Sequence, residues 1–222
     1  MPPFVLVHGG DISTDTWNRL YRRNIYPPGG HLGPHCWDGT VSFLEARGLP
    51  AFAPALGSEK THTLTAHTDQ VCRVILENNL RNVILVAHSY GSFPVIGTAD
   101  RLPKKIRHLV FLDTGLPDPG QSLMDLLERA YSRSNSPPIP DPDPPYVEKI
   151  RYDPATIRRI PKTYIRCTKS DFADLTLYSK RKVDEEASCF GNWTYLEIPS
   201  SHVPMADAPE KFNRVLLSIA ER

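Results

Sequence analysis

Six short apolar runs recur along the chain, and between most of them the apolar spacing switches to the three-to-four period of a helix. A strand buried on both faces reads as a continuous apolar run. The alternation therefore predicts an α/β fold of about six mainly parallel strands, with helices on both faces of the sheet. The runs fall at 4–7, 49–56, 82–87, 106–112, 163–167 and 193–198. Pro50 and Pro54 weaken the second, because proline cannot donate to a sheet ladder. Helical spacing covers 40–47, 65–78 and 209–222, with a shorter stretch at 122–131.

At 222 residues a single domain over 1–222 is expected. Two segments break the alternation. Residues 11–38 have few regular patterns and read as an insertion. Residues 117–161 are rich in proline, follow the fourth strand, and read as a lid over the site. The 26 lysines and arginines nearly balance the 25 aspartates and glutamates. A net charge of +1 gives no reason to expect nucleic acid or an anionic membrane as partner, so a small molecule is expected instead. No apolar run approaches the roughly 20 residues of a membrane span. The opening Met1-Pro2-Pro3-Phe4 lacks the basic start of a signal peptide, so a cytoplasmic location is expected. Cys36, Cys72, Cys167 and Cys189 form no C-x-x-C pair and read as free thiols; the composition leaves room for a homodimer.

The most informative segment is Val86-Ala87-His88-Ser89-Tyr90-Gly91. An apolar strand delivers Ser89 into a turn tight enough to require small residues two positions before and two after, and Ala87 and Gly91 meet that demand. Such a turn exposes the serine hydroxyl at the carboxyl end of the strand and leaves the Tyr90 N–H facing an oxyanion. The usual motif has glycine where Ala87 stands. A hydroxyl needs a base, and His202, in Ser201-His202-Val203-Pro204-Met205 after the last strand, is the favoured one of eight histidines. His62 and His67 lie on or beside a helix and are expected in solvent, and His88 should point away from the serine hydroxyl. Asp171, a short turn beyond the fifth strand, is the favoured carboxylate, giving the order Ser, Asp, His. Asp113, at the end of the fourth strand, is its rival. Gly10, in His8-Gly9-Gly10, is the favoured second oxyanion donor, with Asp11 or a residue near His31 as substitutes. His31, His35 and Cys36 lack a metal-ligand spacing and read as a pocket mouth; no metal and no cofactor are expected.

These strings, with Thr168-Lys169-Ser170-Asp171, resemble those of the plant methylesterase and hydroxynitrile lyase family of α/β-hydrolases over nearly the whole chain. The resemblance implies a Ser-His-Asp esterase, places the acid at Asp171 and the second oxyanion donor just past the His-Gly pair, and so favours Gly10. The lyases carry a lysine after the histidine of the triad, where this chain has Val203, and a threonine soon after the first histidine, where this chain has glycine. Cyanohydrin cleavage is therefore not expected. The leading expectation is hydrolysis of a small-molecule ester, lactone or thioester. Carbon–carbon cleavage, decarboxylation or cyclisation on the same residues, and ligand binding with little turnover, stand as alternatives.

Overall fold

The computed structural model describes residues 1–10, 13–21, 23–131 and 142–222. Strand β1 (Phe4–Val7) lies between β2 (Ala51–Phe52) and β3 (Val83–His88). The sheet continues through β4 (Ile106–Leu112), β5 (Lys162–Cys167) and β6 (Trp193–Ile198), in the order β2-β1-β3-β4-β5-β6 with every pairing parallel. This is the expected architecture. Only the second run is much shorter than its apolar stretch, because Pro50 and Pro54 bracket the two residues that pair.

Alternate residues of each central strand feed two cores. On β3, Val83, Leu85 and Ala87 join one apolar cluster, while Ile84 and Val86 join the other. All are fully buried. At about 1.5–3 kcal/mol for each large apolar side chain taken from water, two such faces account for why β1, and β3 as far as His88, carry no polar residue.

The helices, in chain order, are α1 (Thr14–Tyr21), α2 (Asp38–Glu45), α3 (Leu64–Glu77), α4 (Ser92–Arg101), α5 (Leu123–Tyr131), α6 (Pro144–Val147), α7 (Pro154–Arg158), α8 (Ala173–Phe190), α9 (Pro204–Asp207) and α10 (Pro209–Ala220). Of these, α1, α4, α6, α7, α8 and α9 lie outside the stretches of helical spacing. The eight-residue α1 lies inside the expected insertion, where Ser13 bridges His31. The buried stripe of α8 includes Thr176 and Ser179 beside Leu175 and Val183, so its inward face is half polar. The proline-dense part of the expected lid falls largely on 132–141, and the substitute oxyanion donor Asp11 on position 11; both lie outside the described residues. Among the described residues no helix is long and apolar enough to cross a membrane.

Strand order reverses at β1 and β3: the chain leaves β1 toward one edge and β3 toward the other. Open parallel sheets form a crevice at such a point, outside the carboxyl ends of the strands. Gly9 and Gly10 follow β1 there, Ser89 follows β3, Asp113 follows β4 and the His202 loop follows β6.

Candidate active site

Ser89 leaves β3 with φ of 52°, in the left-handed region that side chains other than glycine seldom adopt. The strand passes at once into a 3-10 turn, Ser89–Gly91, and then α4. Gly91 is required because a Cβ there would come within 2.8 Å of the Val7 and His8 carbonyl oxygens on β1 and its exit. Gly9 makes a closer approach still: a Cβ on it would lie 2.5 Å from Ser89 Cβ and 3.2 Å from Ser89 Oγ. Thr114 fixes the turn from below, donating its hydroxyl to the Ser89 carbonyl, and the Tyr164 hydroxyl donates in turn to the Thr114 carbonyl at 2.6 Å.

His202 Nδ1 stands 2.7 Å from Asp113 Oδ2. The carboxylate is 1% exposed, and its other oxygen accepts from the Cys167 N–H at 2.8 Å. An ionised carboxylate only accepts, so Nδ1 carries the proton and Nε2 is left as a base. The expected pairing with Asp171 is not what the structure brings together. Asp171 is exposed in the turn before α8, and the one in-plane proton of His202 on that side is already taken by Asp113. The backbone of Asp113 has φ of 44°, which turns the carboxylate under the histidine.

Three residues with no role assigned from sequence hold this arrangement. His88 Nε2 donates to the His202 carbonyl at 2.8 Å, and the two rings lie 4.6 Å apart. Burial, then the neighbouring His202, pushes the His88 imidazole well below its ordinary pKa, so it stays neutral. Phe172 covers His202 on another side, with ring centroids 4.5 Å apart. His67, expected in solvent, is fully buried. Its Nε2 donates to the Gly57 carbonyl at 2.8 Å, which leaves Nδ1 to accept from the Tyr90 hydroxyl at 3.0 Å. His88 reaches the loop that carries the candidate base. Only contact in space could reveal these roles.

The backbone after β1 is pinned by His8. Its Nε2 accepts from the Leu56 N–H at 3.3 Å, so Nδ1 carries the proton given to the Gly9 carbonyl at 2.7 Å. Gly10, Ser89, Phe172 and His202 line two cavities that meet at them. The larger, about 340 Å³, is closed by Leu123, Leu127 and Tyr131 of α5 and by Tyr146 of α6. The smaller, about 220 Å³, is lined by His8, Cys36, His88 and Met205. No hydrogen bond joins Ser89 Oγ to His202 among the described residues, although both face these cavities. A roomier cavity of about 580 Å³ lies over α3 and α4, and it contains none of the candidate residues. Of the suggested pocket-mouth residues, Cys36 lines the smaller cavity, whereas His35 is exposed and lies 3.3 Å from Asp38. Among the described residues no three His, Cys, Asp or Glu side chains cluster to hold a metal ion.

The family model described as the alpha/beta hydrolase family matches residues 4–215. The carbendazim hydrolyzing esterase of Nocardioides sp. (strain SG-4G) is 36% identical over 138 residues, covering 59% of this chain and 49% of that one. Putative methylesterase 13, chloroplastic, of Arabidopsis thaliana is 29% identical over 117 residues, covering 49% of this chain and 26% of that one. This chain thus spans about half the length, or less, of these curated relatives. An extracellular alpha/beta-hydrolase from a Paenibacillus species, described as sharing homology with tobacco salicylic acid binding protein 2, superposes with a TM-score of 0.71. It covers 98% of both chains at 19% identity, a likeness of fold.

Proposed function

The chain belongs to the alpha/beta hydrolase family, and on that footing we propose that it hydrolyses a small-molecule carboxylic ester through an acyl-enzyme. The observation that carries this is the shared cavity wall. Ser89, on its positive-φ turn, faces the same space as a histidine whose Nδ1 is bonded to a buried carboxylate. Ser89 Oγ attacks the ester carbonyl while His202 Nε2 takes its proton, and Asp113 holds the imidazole in the tautomer that leaves Nε2 free. Contact between Oγ and Nε2 tightens as substrate settles against both. The N–H groups of Tyr90 and Gly10 receive the negative oxygen, and each such donor is worth roughly 2.7–4 kcal/mol of barrier. His202 then returns the proton to the departing alcohol, and water releases the acyl group by the reverse sequence.

Two cavities meeting at Ser89 suit a substrate with a substituent on each side of the carbonyl. The larger, walled by leucine and tyrosine, accepts the bulkier apolar group. The test is turnover of p-nitrophenyl esters of increasing acyl length by the wild type beside Ser89→Ala and His202→Ala. Hydrolysis by the wild type alone is expected; equal rates in the Ser89→Ala variant would overturn the proposal.

A further inference from the structure

The cavity of about 580 Å³ over α3 and α4 holds neither Ser89 nor His202, and its lining is charged. Arg101 closes α4, Lys149 and Arg151 follow α6, and all three line the cavity. Glu148 is the one carboxylate among the lining residues. The wall therefore carries three formal positive charges against one negative, in a chain whose net charge is only +1.

Little of that positive charge is firmly neutralised. Arg101 pairs with Asp69 through one guanidinium nitrogen, and Lys149 lies 3.7 Å from Asp125. Both pairs are exposed, and exposed pairs contribute so little that either cation can turn to a ligand. Arg151 has no ion pair among the described residues.

The rest of the polar wall can only accept hydrogen bonds. Glu148 takes the Thr65 N–H at 3.1 Å on one oxygen and the Thr65 hydroxyl on the other. Thr68 gives its own hydroxyl proton to the Leu64 carbonyl at 2.9 Å. Both hydroxyl protons are spent, so Thr65, Thr68 and Glu148 have only lone pairs left to offer.

We propose that this cavity binds a phosphate monoester of a small hydroxylated molecule. The phosphate lies on Arg101, Lys149 and Arg151, and the hydroxyl groups of the organic part donate to Thr65, Thr68 and Glu148. A phosphate monoester carries nearly two negative charges and three strong acceptor oxygens, which a single carboxylate cannot match. Two guanidinium forks suit those oxygens bidentately. A volume of about 580 Å³ far exceeds what bare phosphate needs and falls within the range of small-molecule pockets. The bound molecule ties residues 149–151 to α4, so filling the site stabilises the fold.

The full chain is titrated calorimetrically with glucose 6-phosphate at about 0.15 M salt, where loose surface charge is largely screened. Glucose, inorganic phosphate and succinate are the controls. Glucose 6-phosphate should bind at least about tenfold tighter than any control, and it should raise the thermal midpoint. Arg151→Gln and Arg101→Gln should each weaken it about tenfold, while Arg19→Gln, at a distant exposed cation, should leave it unchanged. Both guanidinium groups are exposed, so the double variant Arg101→Gln/Arg151→Gln is expected to fold; if it does not, Arg151→Gln alone carries the test. Unchanged affinity in these variants would overturn the proposal. So would equally tight binding of succinate, which would reduce the site to a surface that takes any dianion. Absence of binding by the wild type would overturn it outright.

Discussion

His202 Nδ1 and Asp113 Oδ2 are 2.7 Å apart, and this contact makes Asp113 rather than Asp171 the partner of the histidine. Asn in place of Asp113 can still accept from the Cys167 N–H through its oxygen, but its amide would face Nδ1 and select the wrong tautomer. Asp113→Asn should therefore lower kcat by on the order of 10²–10⁴-fold with little change in fold. Asp171→Asn, at an exposed position, should change kcat less than about threefold. Steady-state kinetics of the two variants decide between the carboxylates, and a larger loss in Asp171→Asn would reverse the assignment.

Gly9 is where the loop after β1 touches Ser89. A methyl group there would overlap Ser89 Cβ at 2.5 Å, so the serine or the loop must move. Displacing a reacting group by about 1 Å can cost around 10²-fold. Gly9→Ala should lose at least that much in kcat. Labelling by a fluorophosphonate should slow in parallel, since that reagent needs the same serine geometry. Normal labelling with lost turnover would place the damage elsewhere.

The sheet and the tight turn at Ser89 were legible because their causes are local. β3 is six buried residues in a row, and Ser89 follows it between Ala87 and Gly91. His202 follows from the rule that loops after parallel strands gather at one edge. The carboxylate does not follow in the same way, because Asp113 and Asp171 both stand just past strand ends at that edge. Backbone torsion separates them: φ of 44° turns Asp113 inward, and no residue pattern encodes it. His67 was hidden for another reason. It lies on the inward face of α3, and its burial is tolerable only because Gly57 and Tyr90, both remote in sequence, satisfy its two nitrogens.

His88, although it lines the smaller cavity, should act on the rate mainly through the loop of His202. Phe in its place would fill similar space but leave the His202 carbonyl without its donor, at about 1–3 kcal/mol. Gln offers an N–H in roughly the same direction. His88→Phe should lower kcat several-fold while leaving KM nearly unchanged, with a melting temperature below wild type. His88→Gln should recover part of both. Loss of KM alone would show that His88 shapes the cavity rather than the loop.

Acid should destabilise the fold before its carboxylates titrate. Burial lowers the pKa of His67 and, more strongly, that of His88; for His108, burial aided by Arg222 and Arg107 lowers it to about 4. In the unfolded chain each returns toward 6.5. Below that pH the unfolded state binds protons that the folded state refuses, so stability is fully present above it and is lost as pH falls toward the folded values. Each depressed histidine contributes up to about 1.4 kcal/mol per pH unit in this window. Thermal midpoints should thus fall steadily from about pH 7 to about pH 5, above the range where ordinary carboxylates are protonated. His108→Gln keeps a hydrogen-bonding group against Thr163, which lies 2.9 Å from the native ring, and should make the slope shallower. A midpoint that stays flat or rises over this range would mean that the imidazoles take up protons in the folded state after all.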